Sequence, residues 1–412
     1  MSRKTLGYRA CIGIFCATFL ITFVLLKESR VPTFNVAYQG SIKNFLRKTS
    51  IDPSQEKQNH GNNERENSQQ NPKVQIDEDK LPQVENCAPD SPRYVILLTY
   101  GRSGSSLTSD IISEHPDVFT YYEPLHNLAQ SFSSRQKDYK EQNHKYLHLT
   151  DILEYHSAAL SMIEKQMTCN YHRLSRFASL NLHAPSIKST KELFHCVKSA
   201  LTSKAEETCL MEAQERCEQK PLRFIKTIRL SVETMSAVLD LYPCSKLIYL
   251  VRDPRGSYHS KTRMFASHGQ NVTWDAERFC SRLNKDVDAV IKLKEKYPDR
   301  IHLTRFETIA AHPIVSMKDI YEFIDLEFTQ SIAKFVYQKT HSKTAGRGYS
   351  TDRTDSLDAC YKWRKSISFE NVKAFEHFCN EPFHKLGYLP ANSLQDLRNL
   401  NKTLLSNADH FS

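Results

Sequence analysis

The chain has 412 residues, 40% of them hydrophobic, and a net charge of +9, enough for one large α/β domain with additional segments. The positive balance suits an anionic partner such as a nucleotide, an acidic polymer or a membrane surface. Nucleic acid is a poor fit, because the sequence has no RNA-binding signature, zinc-finger spacing or long basic helix.

Residues 10–26 are 17 uncharged residues preceded by Arg3, Lys4 and Arg9 and closed by Lys27, Glu28 and Arg30. A bilayer core takes about 20 apolar residues, so this run is short but sufficient. A cleaved signal peptide is the alternative, but its apolar core is usually shorter, and no small-x-small cleavage site follows cleanly. The run is read as an uncleaved signal-anchor. The basic flank puts residues 1–9 in the cytosol and the rest in a lumen. The short span suits the thin early secretory membranes, pointing to the Golgi or endoplasmic reticulum. Residues 27–91 form a flexible stem: positions 51–80 contain no aromatic residue and are dense in Gln, Asn, Glu and Lys. A folded domain is expected over 92–390, and a tail over 391–412.

Residues 94–99 are a short apolar run of the length of a buried parallel strand. Residues 100–106 are a turn with two glycines and three serines. Leu107, Ile111 and Ile112 then recur at helical spacing until Pro116. Strand, small-residue loop and helix make an anion cradle, where loop amides and free helix N–H groups converge. The ATPase loop would be G-x-x-x-x-G-K-[ST]. Here Ser105 follows Gly104, and the cation, Arg102, precedes it, so no magnesium partner is evident.

A second strand is expected at 118–122, leading into Glu123-Pro124-Leu125-His126. Residues 131–220 are irregular, polar and cysteine-bearing, and are read as inserted helices and loops. Strands follow at 222–228, 246–251 and 300–305. Helices follow at 232–241, after the turn Arg252–Gly256, at 276–296, 314–324, 329–338 and 369–379. Strands alternating with helices predict an α/β fold, a P-loop-like parallel sheet covered by helices, with ligands at the carboxyl ends of the strands.

The second strand-to-helix junction carries Arg252, with Ser260 eight residues on. A guanidinium fork and a hydroxyl make a phosphate pocket; the other reading pairs Arg252 with Asp253 at a sheet edge. Of eleven cysteines, Cys11 and Cys16 fall in the apolar run. None of the remaining nine has zinc spacing, and in a lumenal domain several should pair. Nine is odd, so one stays free or joins two chains, which leaves a homodimer open. Asn271 and Asn401 begin glycosylation sequons.

Taken together, YGRSGSS, YYEPLH, IKTIR, LIYLVRDPRGSYHSKTR, RFETIAAHP, WR and LGY resemble the Golgi carbohydrate sulfotransferases that sulfate the 6-hydroxyl of galactose, N-acetylgalactosamine or N-acetylglucosamine. The resemblance covers residues 94–388 and is weakest in the middle insert. It implies the sulfotransferase fold and the donor 3′-phosphoadenosine-5′-phosphosulfate. It implies that Arg102, Ser103, Gly104, Ser105 and Ser106 hold the 5′-phosphosulfate, that Arg252 and Ser260 hold the 3′-phosphate, and that Phe306 stands beside the adenine where relatives often carry tyrosine. A glycan or proteoglycan would be the acceptor, and no metal is required.

Sulfuryl transfer needs charge stabilisation at the leaving group, which Arg102 can supply, and a positioned base for a weakly acidic sugar hydroxyl. Glu123 is the candidate base, with His126 as competitor; a structural carboxylate is the alternative role for Glu123. Lys226, Arg229 and Arg353 are further candidates for donor or acceptor binding. Arg353 lies in Tyr349-Ser350-Thr351-Asp352-Arg353, which matches the family only in part. A lumenal P-loop kinase and a glycan-binding protein without activity are the competing readings.

Overall fold

The computed structural model describes residues 87–133, 138–140, 146–148, 152–174, 176–266, 275–344 and 350–406. The expected signal-anchor, nearly all of the expected stem and the Asn271 sequon lie outside the described residues. Among the described residues, no helix is long and apolar enough to cross a membrane.

Five parallel strands form the central sheet in the order β2-β5-β1-β6-β7. They are β1 (Arg93–Thr99), β2 (Val118–Tyr122), β5 (Leu222–Thr227), β6 (Ser245–Val251) and β7 (Ile301–Arg305). Each matches its expected position to within one residue at either end. The reason is their composition: β1 buries Val95, Ile96, Leu97 and Leu98, and β6 buries Leu247 through Val251, on both faces. Continuous apolar runs of this length are stable only where helices cover both sides of a sheet. Burying each such side chain contributes roughly 1.5–3 kcal/mol.

Register aligns the carboxyl ends of the strands. Thr99 lies opposite Leu250, Leu98 opposite Thr227, Tyr122 opposite Lys226 and Val251 opposite Arg305. The connection after β1 runs toward β2, while that after β6 runs toward β7. The chain therefore leaves the middle of the sheet in opposite directions, which opens a crevice above β1.

Helix α1 (Ser105–Ser113) follows β1 directly. Its apolar stripe, Leu107, Ile111 and Ile112, packs with Ile309, Met317, Ile320, Tyr321, Ile332 and Val336. Those partners come from α9 (Phe306–Ala311), α10 (Pro313–Phe323) and α11 (Gln330–Thr340). Tyr321 Oη donates to the Ile111 carbonyl at 2.7 Å, tying the two layers. The middle insert contains α2 (His126–Ser133), an antiparallel hairpin of β3 (Asp138–Lys140) and β4 (Tyr146–His148), α3 (Ile152–Met167), α4 (Lys188–Ser199) and α5 (Ser203–Glu218). Helices α6 (Val232–Leu241), α7 (Pro254–Ala266) and α8 (Ala276–Lys296) occur where the spacing predicts them.

The C-terminal end corrects the expected boundary at residue 391. After α12 (Ser356–Tyr361), α13 (Phe369–Phe378) and α14 (Asn380–Leu386), a further helix α15 (Leu394–Arg398) packs on the domain. Ala391, Leu397 and Leu404 are buried. The buried Arg364 donates to the carbonyls of Asp396, Leu397, Asn399 and Lys402 at 2.8–3.0 Å. Four carbonyls thus converge on one guanidinium, and the segment is part of the fold rather than a tail.

The other boundary moves too. Cys87, placed by sequence in the stem, is bonded to Cys244 at the amino edge of β6. The remaining disulfides are Cys169–Cys217, Cys196–Cys209 and Cys280–Cys379. Cys360 is the free cysteine among the described residues and is fully buried, the unpaired one of the two alternatives expected for the odd thiol.

Candidate functional site

The loop after β1 depends on two residues in the left-handed backbone region. Arg102 has φ 70° and Gly104 φ 81°. Gly104 caps α1, which has no acidic residue in its first turn and no side-chain cap, so its positive end is available to an anion. Gly104 is required for a second reason: a Cβ there would lie 2.0 Å from the Phe306 ring. Ser103 and Ser105 are buried in the turn, while Ser106 Oγ and Tyr122 Oη share a hydrogen bond of 2.5 Å. That bond links the loop to the end of β2.

The second junction closes onto the first. Arg102 Nε donates to Ser260 Oγ at 3.0 Å. Arg252 donates through Nη1 to the Arg102 carbonyl at 2.9 Å and through Nη2 to the Cys360 carbonyl at 3.0 Å. Its guanidinium carbon lies 5.1 Å from the centre of the Phe306 ring. Phe306 is almost entirely buried, wedged between Gly104 and Arg252. Arg102, Gly104, Arg252, Ser260 and Phe306, separated by up to 204 positions in the chain, therefore form one cluster at the carboxyl edge of the sheet.

Arg252 is not paired with Asp253. That carboxylate is held by Arg255, which is completely buried and also donates to Glu376 and to the Leu389 carbonyl. Arg255 lies against the Trp363 and Phe383 rings. Glu307 accepts from the Asp253 amide at 3.0 Å and from Tyr388 Oη at 3.1 Å. Burial, together with the nearby Asp253, raises the Glu307 carboxyl above its ordinary range. Motifs RDPRG, RFET, WR and LGY are thereby joined in one buried network that fixes the Arg252 backbone. Gly256 admits the Trp363 indole, which a Cβ would meet at 2.8 Å.

Glu123 sits at the end of β2 with φ 50° and is buried. Its amide donates to the Lys226 carbonyl at 2.8 Å, extending the β2–β5 ladder by one bond. One carboxylate oxygen, Oε1, is ion-paired with Lys226 and the other, Oε2, with Arg229. Burial alone would push the carboxyl upward; Lys226 and Arg229 outweigh it and hold it below the usual carboxylate range. Lys226 Nζ also lies 4.5 Å from the centre of the Tyr122 ring. The second Arg229 nitrogen contacts His126 Nδ1 at 2.9 Å. His126 meets His183 edge-on at 5.2 Å, and Asn181 donates to the Glu123 carbonyl. Burial, with Arg229 next in effect, lowers the His126 imidazole, and burial lowers His183 to about 4.

The expected site residues thus fall into two groups at the same edge, the Arg102–Arg252 cluster and the Glu123 cluster, linked through Ser106 and Tyr122. Arg353 donates to the carbonyls of Ser350 and Asp352 at 2.7 Å each, and its guanidinium is lowered by burial and by the nearby Arg252. Asn181, His183 and Tyr122 escape the sequence reading. The first two come from the irregular insert, where no periodic pattern points to them. Among the described residues no group of three His, Cys, Asp or Glu side chains is arranged to hold a metal.

The profile of the Sulfotransferase family matches residues 94–330. Carbohydrate sulfotransferase 4 of Mus musculus is 23% identical, over 77% of this chain and 87% of its own. Carbohydrate sulfotransferase 3 of Tetronarce californica is 24% identical, over 77% and 78% respectively. Among solved structures, the sulfotransferase domain of the Synechococcus olefin synthase covers 72% of this chain and 98% of its own, with 17% identity and a TM-score of 0.37.

Proposed function

The chain belongs to the sulfotransferase family, and from that premise we propose that it transfers a sulfuryl group from 3′-phosphoadenosine-5′-phosphosulfate to the 6-hydroxyl of galactose, N-acetylgalactosamine or N-acetylglucosamine in a glycan. The observation that carries the reading is the convergence of Arg102, Gly104, Arg252 and Ser260 at one edge of the sheet. Two arginines and a helix end in contact suit a ligand with anionic groups at two positions. Arg252 Nε has no partner among the described residues, and the absent Cβ at Gly104 lets the Phe306 ring pack directly on the loop beside Arg252. These residues fit the donor. The named relatives, all carbohydrate sulfotransferases, support a sugar acceptor.

When bound, the donor supplies a sulfuryl group activated by a nucleotide leaving group. The loop amides, Ser105, Ser106 and the α1 end would hold its 5′ side; Arg252 and Ser260 would hold its 3′-phosphate, with Phe306 flanking the base. Arg102 stabilises charge on the departing oxygen. The acceptor oxygen forms the new O–S bond as the bridging S–O bond breaks, and the electron pair leaves with the nucleotide. The hydroxyl proton passes to Glu123. Lys226 and Arg229 keep that carboxylate ionised and therefore able to accept it.

The test uses the full chain with radiolabelled donor and a panel of glycans, without added magnesium. Label on a glycan supports the reading; label from ATP and none from the sulfate donor overturns it. Glu123→Gln is expected to lower transfer by about 10²–10⁴-fold while binding of adenosine 3′,5′-bisphosphate persists. Retained transfer would remove Glu123 as the base. The apolar run at 10–26, its basic flank and the four disulfides support a single-pass Golgi protein with this domain in the lumen. In sealed microsomes the domain should resist protease until detergent is added; digestion without detergent would reverse the orientation.

A further inference from the structure

The Glu123 carboxylate faces a difficulty in the role just proposed, on which this inference rests. Its side chain is only 3% exposed, with Lys226 against Oε1 and Arg229 against Oε2. Each oxygen keeps a free lone pair, but an acceptor hydroxyl must reach one of them to deliver its proton, and that requires a covering cation to move. The two cations are not equally placed. The Lys226 side chain is only 5% exposed and its ammonium lies against the Tyr122 ring, so it is walled in. The Arg229 side chain is 21% exposed, so of the two cations it is the one that solvent reaches. Its backbone is fixed independently: its amide donates to Thr227 Oγ1 at 3.1 Å, and its carbonyl accepts from Tyr155 Oη at 2.8 Å. The guanidinium can therefore swing while the chain around it stays in place.

We propose that Arg229 is a displaceable cover on Glu123 Oε2, drawn away by an anionic group on the acceptor, so that the protein selects glycans bearing a carboxylate or sulfate near the sugar to be modified. The charges around the site favour this occupant. One carboxylate faces Lys226 and Arg229, with the uncharged rings of His126 and His183 beyond them. The local surplus is positive. Arg282 on α8, which donates to the Leu230 carbonyl at 3.1 Å, has its own carboxylate partner in Asp286 at 3.8 Å, so the surplus is that of Lys226 and Arg229 over Glu123. A neutral sugar would have to break the Arg229–Glu123 pair and leave a cation without a counterion. An anionic sugar replaces the lost partner and uncovers the base in the same event.

The experiment compares two disaccharides that differ only in a uronate carboxylate and its amide, on the full chain. Binding is measured by calorimetry with adenosine 3′,5′-bisphosphate present, and transfer is measured as kcat/KM. The unaltered protein should prefer the charged sugar by about tenfold in both readouts. Arg229→Gln should erase that preference, and Arg229→Lys should keep part of it. Equal binding of the two sugars by the unaltered protein, or an unchanged preference in Arg229→Gln, overturns the role of Arg229 even if transfer is intact. A charged-sugar preference that needs Arg229, without any transfer by the unaltered protein, would sustain the anion-selecting role and overturn the sulfotransferase reading.

Discussion

A methyl group at Gly104 would meet the Phe306 ring at 2.0 Å in a backbone already at φ 81°. Gly104→Ala therefore forces two changes at once: a left-handed alanine, costing about 1–3 kcal/mol, and displacement of a ring that bears on Arg252. We expect a lower melting temperature together with loss of adenosine 3′,5′-bisphosphate binding. Normal nucleotide affinity in a stable Gly104→Ala protein would show that the ring does not set the position of Arg252. Glu123 illustrates the limit of local reading. Its type and place after a strand mark it as a candidate base, and Lys226 and Arg229 stand out as cations. That the three meet depends on β2 and β5 pairing in register across a hundred positions, which no local pattern encodes.

Among the elements, the strands were legible because each is an apolar run too short for a helix and bounded by polar turns. The insert was not. Helix α5 buries only Cys209, Leu210, Ala213 and Cys217, so it presents no broad apolar stripe. Disulfides to Cys196 and Cys169 do part of the work that hydrophobic burial does elsewhere. The C-terminal segment misled for a related reason: its anchor is a single side chain, Arg364, reaching four carbonyls. Ending the chain at residue 390 removes every one of those acceptors and, with them, the buried Leu397 and Leu404. At about 1.5–3 kcal/mol for each buried leucine, a loss of roughly 3–6 kcal/mol is expected, read as a shift in the urea midpoint. An unchanged midpoint would restore the view of 391–412 as a tail.

For the molecule as a whole, two half-buried imidazoles contribute a response to acid. Burial lowers His302 and His183 from 6.5 to about 4. In the unfolded chain both take up protons as pH falls through 6.5, whereas in the folded chain they stay neutral until about 4. The unfolded state then binds more protons, so stability falls as pH drops across that window. His302→Gln should flatten the decline in melting temperature between pH 6.5 and 4; an unaltered slope would assign the acid response elsewhere. The Cys87–Cys244 bond has a mechanical meaning as well. It closes a loop of 157 positions that contains the turn from Arg102 to Ser106, Glu123, Lys226 and Arg229. Tension arriving along the chain ahead of Cys87 crosses the sulfur bridge to the base of β6, so β1 and every group of the Glu123 cluster are sheltered from the load.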